Sequence, residues 1–209
     1  MKIKECTSAA SSVVGVFLLV GLSIIMVAAV AICVHGFELP PPAPQAKITV
    51  VEAKGGLPPL VSFDENMIKL RHKGGDRLDM KKTKLIIYGI GLSYRPLFGG
   101  GYVPLPPKTG NVQVFYTNLA ENGKILEYKS ANGPVLQDGF WSAGETLVLS
   151  GEDSINSDDR KSSVYVIVSG DSETSNNYGF KVGEKVYFTV IDNDTNEIVS
   201  STYAIMKMS

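Results

Sequence analysis

Hydrophobic and polar positions divide the chain into three stretches. From Val13 to Val34 the sequence VVGVFLLVGLSIIMVAAVAICV contains no charge and hardly a polar atom. As a helix rising about 1.5 Å per residue, this run spans roughly 33 Å, enough to cross the hydrocarbon of a bilayer. It is apolar on every side, so it is hidden either by lipid or by a bundle of similar helices. Next, Pro40-Pro41-Pro42-Ala43-Pro44 stops the helix and favours extended geometry, which holds the C-terminal part of the chain at a semi-rigid distance. From about Ala46 the pattern changes to a period of two. Val186, Phe188 and Val190 alternate with Lys185, Tyr187 and Thr189, as in a strand with one face on a core.

The same reading predicts nine strands: Lys47–Ala53, Asn66–His72, Lys84–Tyr94, Val112–Thr117, Lys124–Lys129, Thr146–Ser150, Ser163–Ser169, Lys185–Ile191 and Glu197–Ile205. Turn residues separate them, and no amphipathic helix of adequate length is expected. Asn193-Asp194-Thr195-Asn196 joins the last two as a hairpin. The expected fold is all-β: an N-terminal hydrophobic α-helix followed by an immunoglobulin-like β-sandwich, with a closed barrel as the alternative. About 170 residues after the helix suit a single β domain over 46–209, carried by a helix over 9–36 and a Pro-rich linker over 37–45.

Composition narrows the picture. The formal net charge is −1, which argues against a nucleic-acid partner. Both cysteines, Cys6 and Cys33, precede the domain, so it is not a disulfide scaffold. Lys2 and Lys4 against Glu5 make the N-terminus net positive, which keeps that end in the cytoplasm and sends the domain outside. A cleaved signal peptide would have a shorter apolar run and a small-residue cleavage site, whereas this one ends in His35-Gly36-Phe37-Glu38.

The segment Ala9-Ala10-Ser11-Ser12-Val13-Val14-Gly15-Val16 with the aliphatic run behind it resembles the N-terminus of archaeal type IV pilins. The resemblance implies a leader over residues 1–8 removed by a prepilin peptidase between Ser8 and Ala9, and a helix that leaves the bilayer to pack with its copies in a filament core. Cys6-Thr7-Ser8 stands where the family often has a charged pair, and Ser12 where it often has proline. His72-Lys73-Gly74-Gly75-Asp76 looks like the HxGGD segment of that family's sandwich domains, and Trp141–Leu147 and Gly183–Asp192 resemble its later turn-strand pieces.

Candidate sites carry structural readings beside functional ones. His72 and Asp76 flank two glycines suited to a turn, where Asp bonds backbone amides; as a catalytic pair they lack a nucleophile and an orienting group. Asp192–Glu197 places oxygens at alternate positions but lacks the EF-hand glycine and glutamate, so it reads as a polar hairpin tip. Asn193-Asp194-Thr195 within it is an N-glycosylation acceptor sequence. Glu152, Asp153, Asp158 and Asp159 read as a solvated acidic loop with cation binding as the alternative. The Pro/Gly-rich stretch Tyr94–Gly110 reads as a long loop whose Tyr94, Leu97, Phe98 and Tyr102 either form an outer contact patch or cap the sandwich.

No catalytic, phosphate-binding or zinc motif is present, and no metal or cofactor is expected. The reading is a structural subunit of a surface filament. It assembles through helix residues such as Val13, Val16, Leu19, Ile24 and Val27, and adhesion is its output. The implied partners are copies of itself, a prepilin peptidase, a pilus assembly platform and the membrane before assembly, with no nucleic acid. The implied location is the cell membrane and then the extracellular filament. Two alternatives share the sequence: a monomeric membrane-anchored binding module and an archaellum subunit.

Overall fold

The computed structural model describes residues 5–36, 42–96, 102–120, 126–154 and 163–209. It divides into two compact units, Met1–Pro41 and Pro42–Ser209. The first contains one helix, α1 (Glu5–Gly36). Its span Val13–Val34 is apolar enough to cross a membrane and has none of its residues buried. Ser23, the hydroxyl in this span, bonds the carbonyls of Leu19 at 2.8 Å and Val20 at 3.0 Å, so it presents little unsatisfied polarity to an apolar neighbour.

The second unit contains β1 (Ala46–Gly55), β2 (Met67–Gly75), β3 (Leu78–Asp79), β4 (Thr83–Pro96), β5 (Tyr102–Tyr116), α2 (Leu126–Ala131), α3 (Gly133–Asp138), β6 (Phe140–Trp141), β7 (Thr146–Ser150), β8 (Val164–Val168), β9 (Gly179–Phe180), β10 (Lys185–Asp192), β11 (Ile198–Ile205) and β12 (Lys207–Met208). One sheet runs β12-β1-β2-β7. The other runs β11-β10-β4-β5-β8 with β9 against β4, and β3 pairs with β6. The domain is thus built of sandwich-like sheets. Alternate residues of each strand enter one core: Ile68 and Leu70 from β2, Leu147 and Leu149 from β7, Leu85 and Ile87 from β4, Val186 and Phe188 from β10. Each such burial contributes about 1.5–3 kcal/mol, and with no disulfide in the domain this core holds the fold.

The short elements β3, β6, β9, β12 and α3 are not among those the sequence predicts, and two expected stretches take another form. Lys124–Lys129, read as a strand, falls in part on 121–125, outside the described residues, and continues as helix α2 rather than strand. Leu, Glu, Lys and Ala favour the helix, and the turn of chain buries Tyr128, whose hydroxyl donates to the Leu119 carbonyl at 2.8 Å. Tyr94–Gly110, read as a loop, is mostly a long hairpin: β4 continues to Pro96 and β5 starts at Tyr102, with a register shift between Ser93 and Arg95. Prolines in β5 sit where the ladder is irregular, which strands tolerate.

One edge of each sheet, β7 and β8, is bonded by side chains. On β7, the Val148 N–H donates to Asn132 Oδ1 at 2.7 Å and Asn132 Nδ2 donates to the Val148 carbonyl at 2.8 Å. On β8, the Val166 N–H donates to Asn176 Oδ1 and Thr174 Oγ1 donates to the Val166 carbonyl, both at 3.0 Å. In each case two side-chain atoms take the bonds a further strand would make at that residue, which blunts that edge for pairing with another chain.

Candidate functional site

The apolar helix has no catalytic geometry; its chemistry is exposure. Val13, Val16, Leu19, Ile24 and Val27 are between 56% and 70% exposed, and nothing among the described residues buries them. Leaving so many aliphatic side chains in water is costly, so lipid or other helices must surround α1. Ser8 and Ala9 lie within α1.

The segment His72–Asp76 forms a turn at the end of β2, and its groups act on backbone. His72 is fully buried, its Nε2–H donates to the Asp76 carbonyl at 2.9 Å, and its ring meets Trp141 edge-on at 6.0 Å. Its backbone bonds the 142–145 turn: His72 N–H donates to Glu145 O at 3.0 Å, and Gly144 N–H donates to His72 O at 2.7 Å. The Asp76 carboxylate does not approach the imidazole as an acid–base pair would; it accepts the Gln45 N–H at 3.0 Å. The Asp76 N–H in turn donates to the Gln45 carbonyl at 2.7 Å. Gly75, at φ +101, lets the chain pass so close that a Cβ there would lie 2.2 Å from the Gln45 oxygen. The motif is a clasp on the residue that precedes β1.

The hairpin after β10 is organised by Asp192, whose Oδ2 accepts from the Thr195 N–H at 2.9 Å and the Thr195 hydroxyl at 2.8 Å. Those oxygens serve the turn. Asn193 is exposed, and its Nδ2 donates to the Thr117 carbonyl at 3.1 Å. A glycan on that nitrogen would replace one of its two hydrogens and leave the other N–H as a donor.

The acidic stretch after β7 separates into two parts. Asp153 turns inward and is buried, with Oδ2 accepting from the Tyr116 hydroxyl at 2.9 Å and the Ser150 N–H at 2.8 Å; the Tyr116 and Tyr178 hydroxyls are 2.7 Å apart. Burial pushes the Asp153 carboxyl up to about 7, against the lowering effect of its bonds to Ser150 and Tyr116. Asp158 and Asp159 lie outside the described residues. Among the described residues, no group of three or more His, Cys, Asp or Glu side chains could hold a metal ion.

Of the expected contact residues, Tyr94 is half-buried with its ring 4.9 Å from Phe63, and Tyr102 begins β5; Leu97 and Phe98 lie outside the described residues. Sequence reasoning missed an aromatic row on the outer face of the larger sheet. Tyr203, Tyr187 and Tyr88 are register partners on adjacent strands, with ring centroids 6.0 and 6.4 Å apart, and all three are partly exposed. The alternation around Val186 and Val190 contained this signal, since the residues facing away from the core there include tyrosines.

The chain thus joins a single exposed apolar helix, long enough to cross a membrane, to a separate strand-rich domain. Residues 8–48 match the family described as Archaeal Type IV pilin, N-terminal, which supports the resemblance seen in the sequence. No curated protein matches the chain.

Proposed function

We propose that the protein is a structural subunit of an archaeal type IV pilus-like surface filament that mediates adhesion. The observation that carries this reading is the wholly exposed apolar surface of Val13–Val34 within a segment matching the pilin N-terminus. Before assembly the helix lies in the membrane. A prepilin peptidase cuts between Ser8 and Ala9, and an assembly platform moves the helix from lipid into a bundle of its copies. Burial there contributes about 25 cal/mol per Å² of apolar surface. Gly15, Gly21 and the alanines at 28, 29 and 31 allow the helices to approach closely. The β domain forms the outer face, and repetition along the filament turns weak single contacts into avid ones. The stretch Tyr94–Gly110, with Tyr94, Leu97, Phe98 and Tyr102, contributes outer contacts, and Asn193 is a glycan acceptor.

Charged substitutions in the helix test this reading. Val16→Asp or Ile24→Asp should abolish surface filaments in electron micrographs while the β domain stays protease-resistant. Filaments formed normally by either variant would contradict it. The competing reading, a monomeric anchored binding module, rests on the same 22-residue span and differs in keeping its leader.

A further inference from the structure

We infer that the outer face of the β12-β1-β2-β7 sheet is a binding surface for a linear acidic polysaccharide. This deepens the adhesive part of the proposed function and rests on it. The chain as a whole carries a formal charge of −1, yet this face concentrates Lys47, Lys54, Lys69, Arg71, Lys73 and Lys207, with Glu52 as the carboxylate among them. Register places them together. Lys54 partners Lys207 across β1 and β12, Thr49 partners Arg71, and Glu52 partners Lys69 across β1 and β2. Glu52 is shared by Lys54 and by Lys69, the latter at 2.6 Å, and so offsets one charge of the group. Near the Gln45 clasp, Lys47 and Lys73 share an open cleft of about 560 Å³ with Glu197, which tempers the charge at that end.

The arrangement selects the occupant by charge complementarity. Lys69, Arg71 and Lys73 follow at alternate positions of β2, about 7 Å apart, so the cations form an extended row rather than converging on a point as a small anion requires. Thr146 and Ser150 lie beside them and supply hydrogen-bonding groups for hydroxyls. β1, β2 and β7 carry no Phe, Tyr or Trp and His72 is buried, so nucleic-acid bases would have nothing on which to stack. The face is a sheet without a helix or ribbon to enter a duplex groove. In the four strands of this sheet Val51 and Met208 are the large apolar side chains left exposed, too little to insert into a bilayer. A flexible chain of uronic acids meets all of these conditions.

The test uses the full-length protein in neutral detergent, so filament assembly is not required and failure here is separable from failure of the filament reading. Alginate is the probe, with neutral dextran, a DNA duplex and phosphatidylglycerol-containing vesicles as the other arms. Alginate should bind, dextran should not, and affinity should fall as salt screens the pairs. Replacing Lys69, Arg71 and Lys73 together by Gln should lower alginate affinity about tenfold or more. The matched set Lys81, Lys181 and Lys185 to Gln should leave it within about twofold. Should the triple variant melt early, Arg71→Gln alone should still weaken binding by about threefold or more. Equal losses in both sets, salt-insensitive binding, no alginate binding, or tighter binding to DNA or vesicles would each overturn the inference.

Discussion

Asp76 and Gln45 are bonded twice in opposite directions: the Asp76 N–H donates to the Gln45 carbonyl at 2.7 Å, and the Asp76 carboxylate accepts the Gln45 N–H at 3.0 Å. Gln45 immediately precedes β1, so the turn after β2 fixes where the chain enters the domain. In a filament, pull on the tether would reach the sandwich at this point. The Gly-Gly pair and the aspartate of the motif have a direct physical role there, and His72 supports it from beneath through the Asp76 carbonyl.

Two substitutions separate the parts of the clasp. Gly75→Ala should lower stability by roughly 2 kcal/mol or more, since it combines strain at φ +101 with a backbone clash against Gln45, and should lower the Tm by several degrees. Asp76→Ala should cost about 1 kcal/mol, because only the Gln45 N–H loses its partner and water can reach it. Thermal denaturation monitored by circular dichroism measures both; equal effects would mean the close approach at Gly75 is relaxed in solution.

Asn132→Ala should destabilise the domain by about 2–3 kcal/mol, since it leaves the Val148 N–H and carbonyl without partners and removes the Nδ2 bond to Tyr128. Hydrogen exchange at the Val148 amide should accelerate before that of residues in the middle of either sheet. Unchanged protection at Val148 would show that another group closes the β7 edge.

Asp153 makes stability fall as pH rises. Its carboxyl, ordinarily near 3.8, is raised to about 7 in the folded state, so between about pH 4 and 7 the native protein binds more protons than the unfolded chain. The protonated form carries no penalty below pH 4, and the cost is complete above pH 7, reaching roughly 4 kcal/mol if the full shift is expressed. Asp153→Asn retains acceptors for Tyr116 and Ser150 and should flatten this dependence, making the variant the more stable protein at pH 8. Denaturant titrations at pH 4.5 and pH 8 measure it; parallel pH profiles for the two proteins would show that Asp153 does not titrate in this range.

The parts legible in sequence were those written in local pattern. Val186, Phe188 and Val190 enter the core as their period of two requires, and the apolar run Val13–Val34 is helical. The illegible parts depend on partners far away in the chain. Leu126–Ala131 is too short for its period to separate helix from strand, and tertiary burial of Tyr128 and Asn132 accompanies the helical outcome. That an asparagine would stand in for a strand beside Val148, or an aspartate clasp Gln45 from 31 residues away, has no signature in spacing. The basic sheet face was hidden because a net charge near zero averages over faces that the fold separates.

The most direct test is the intact mass and N-terminal sequence of the native protein, recovered separately from membranes and from sheared cell-surface material. A filament subunit should appear in the sheared fraction with its N-terminus at Ala9, having lost Met1–Ser8. Retention of Met1 in a protein confined to membranes would contradict the filament account and leave an anchored binding module in its place.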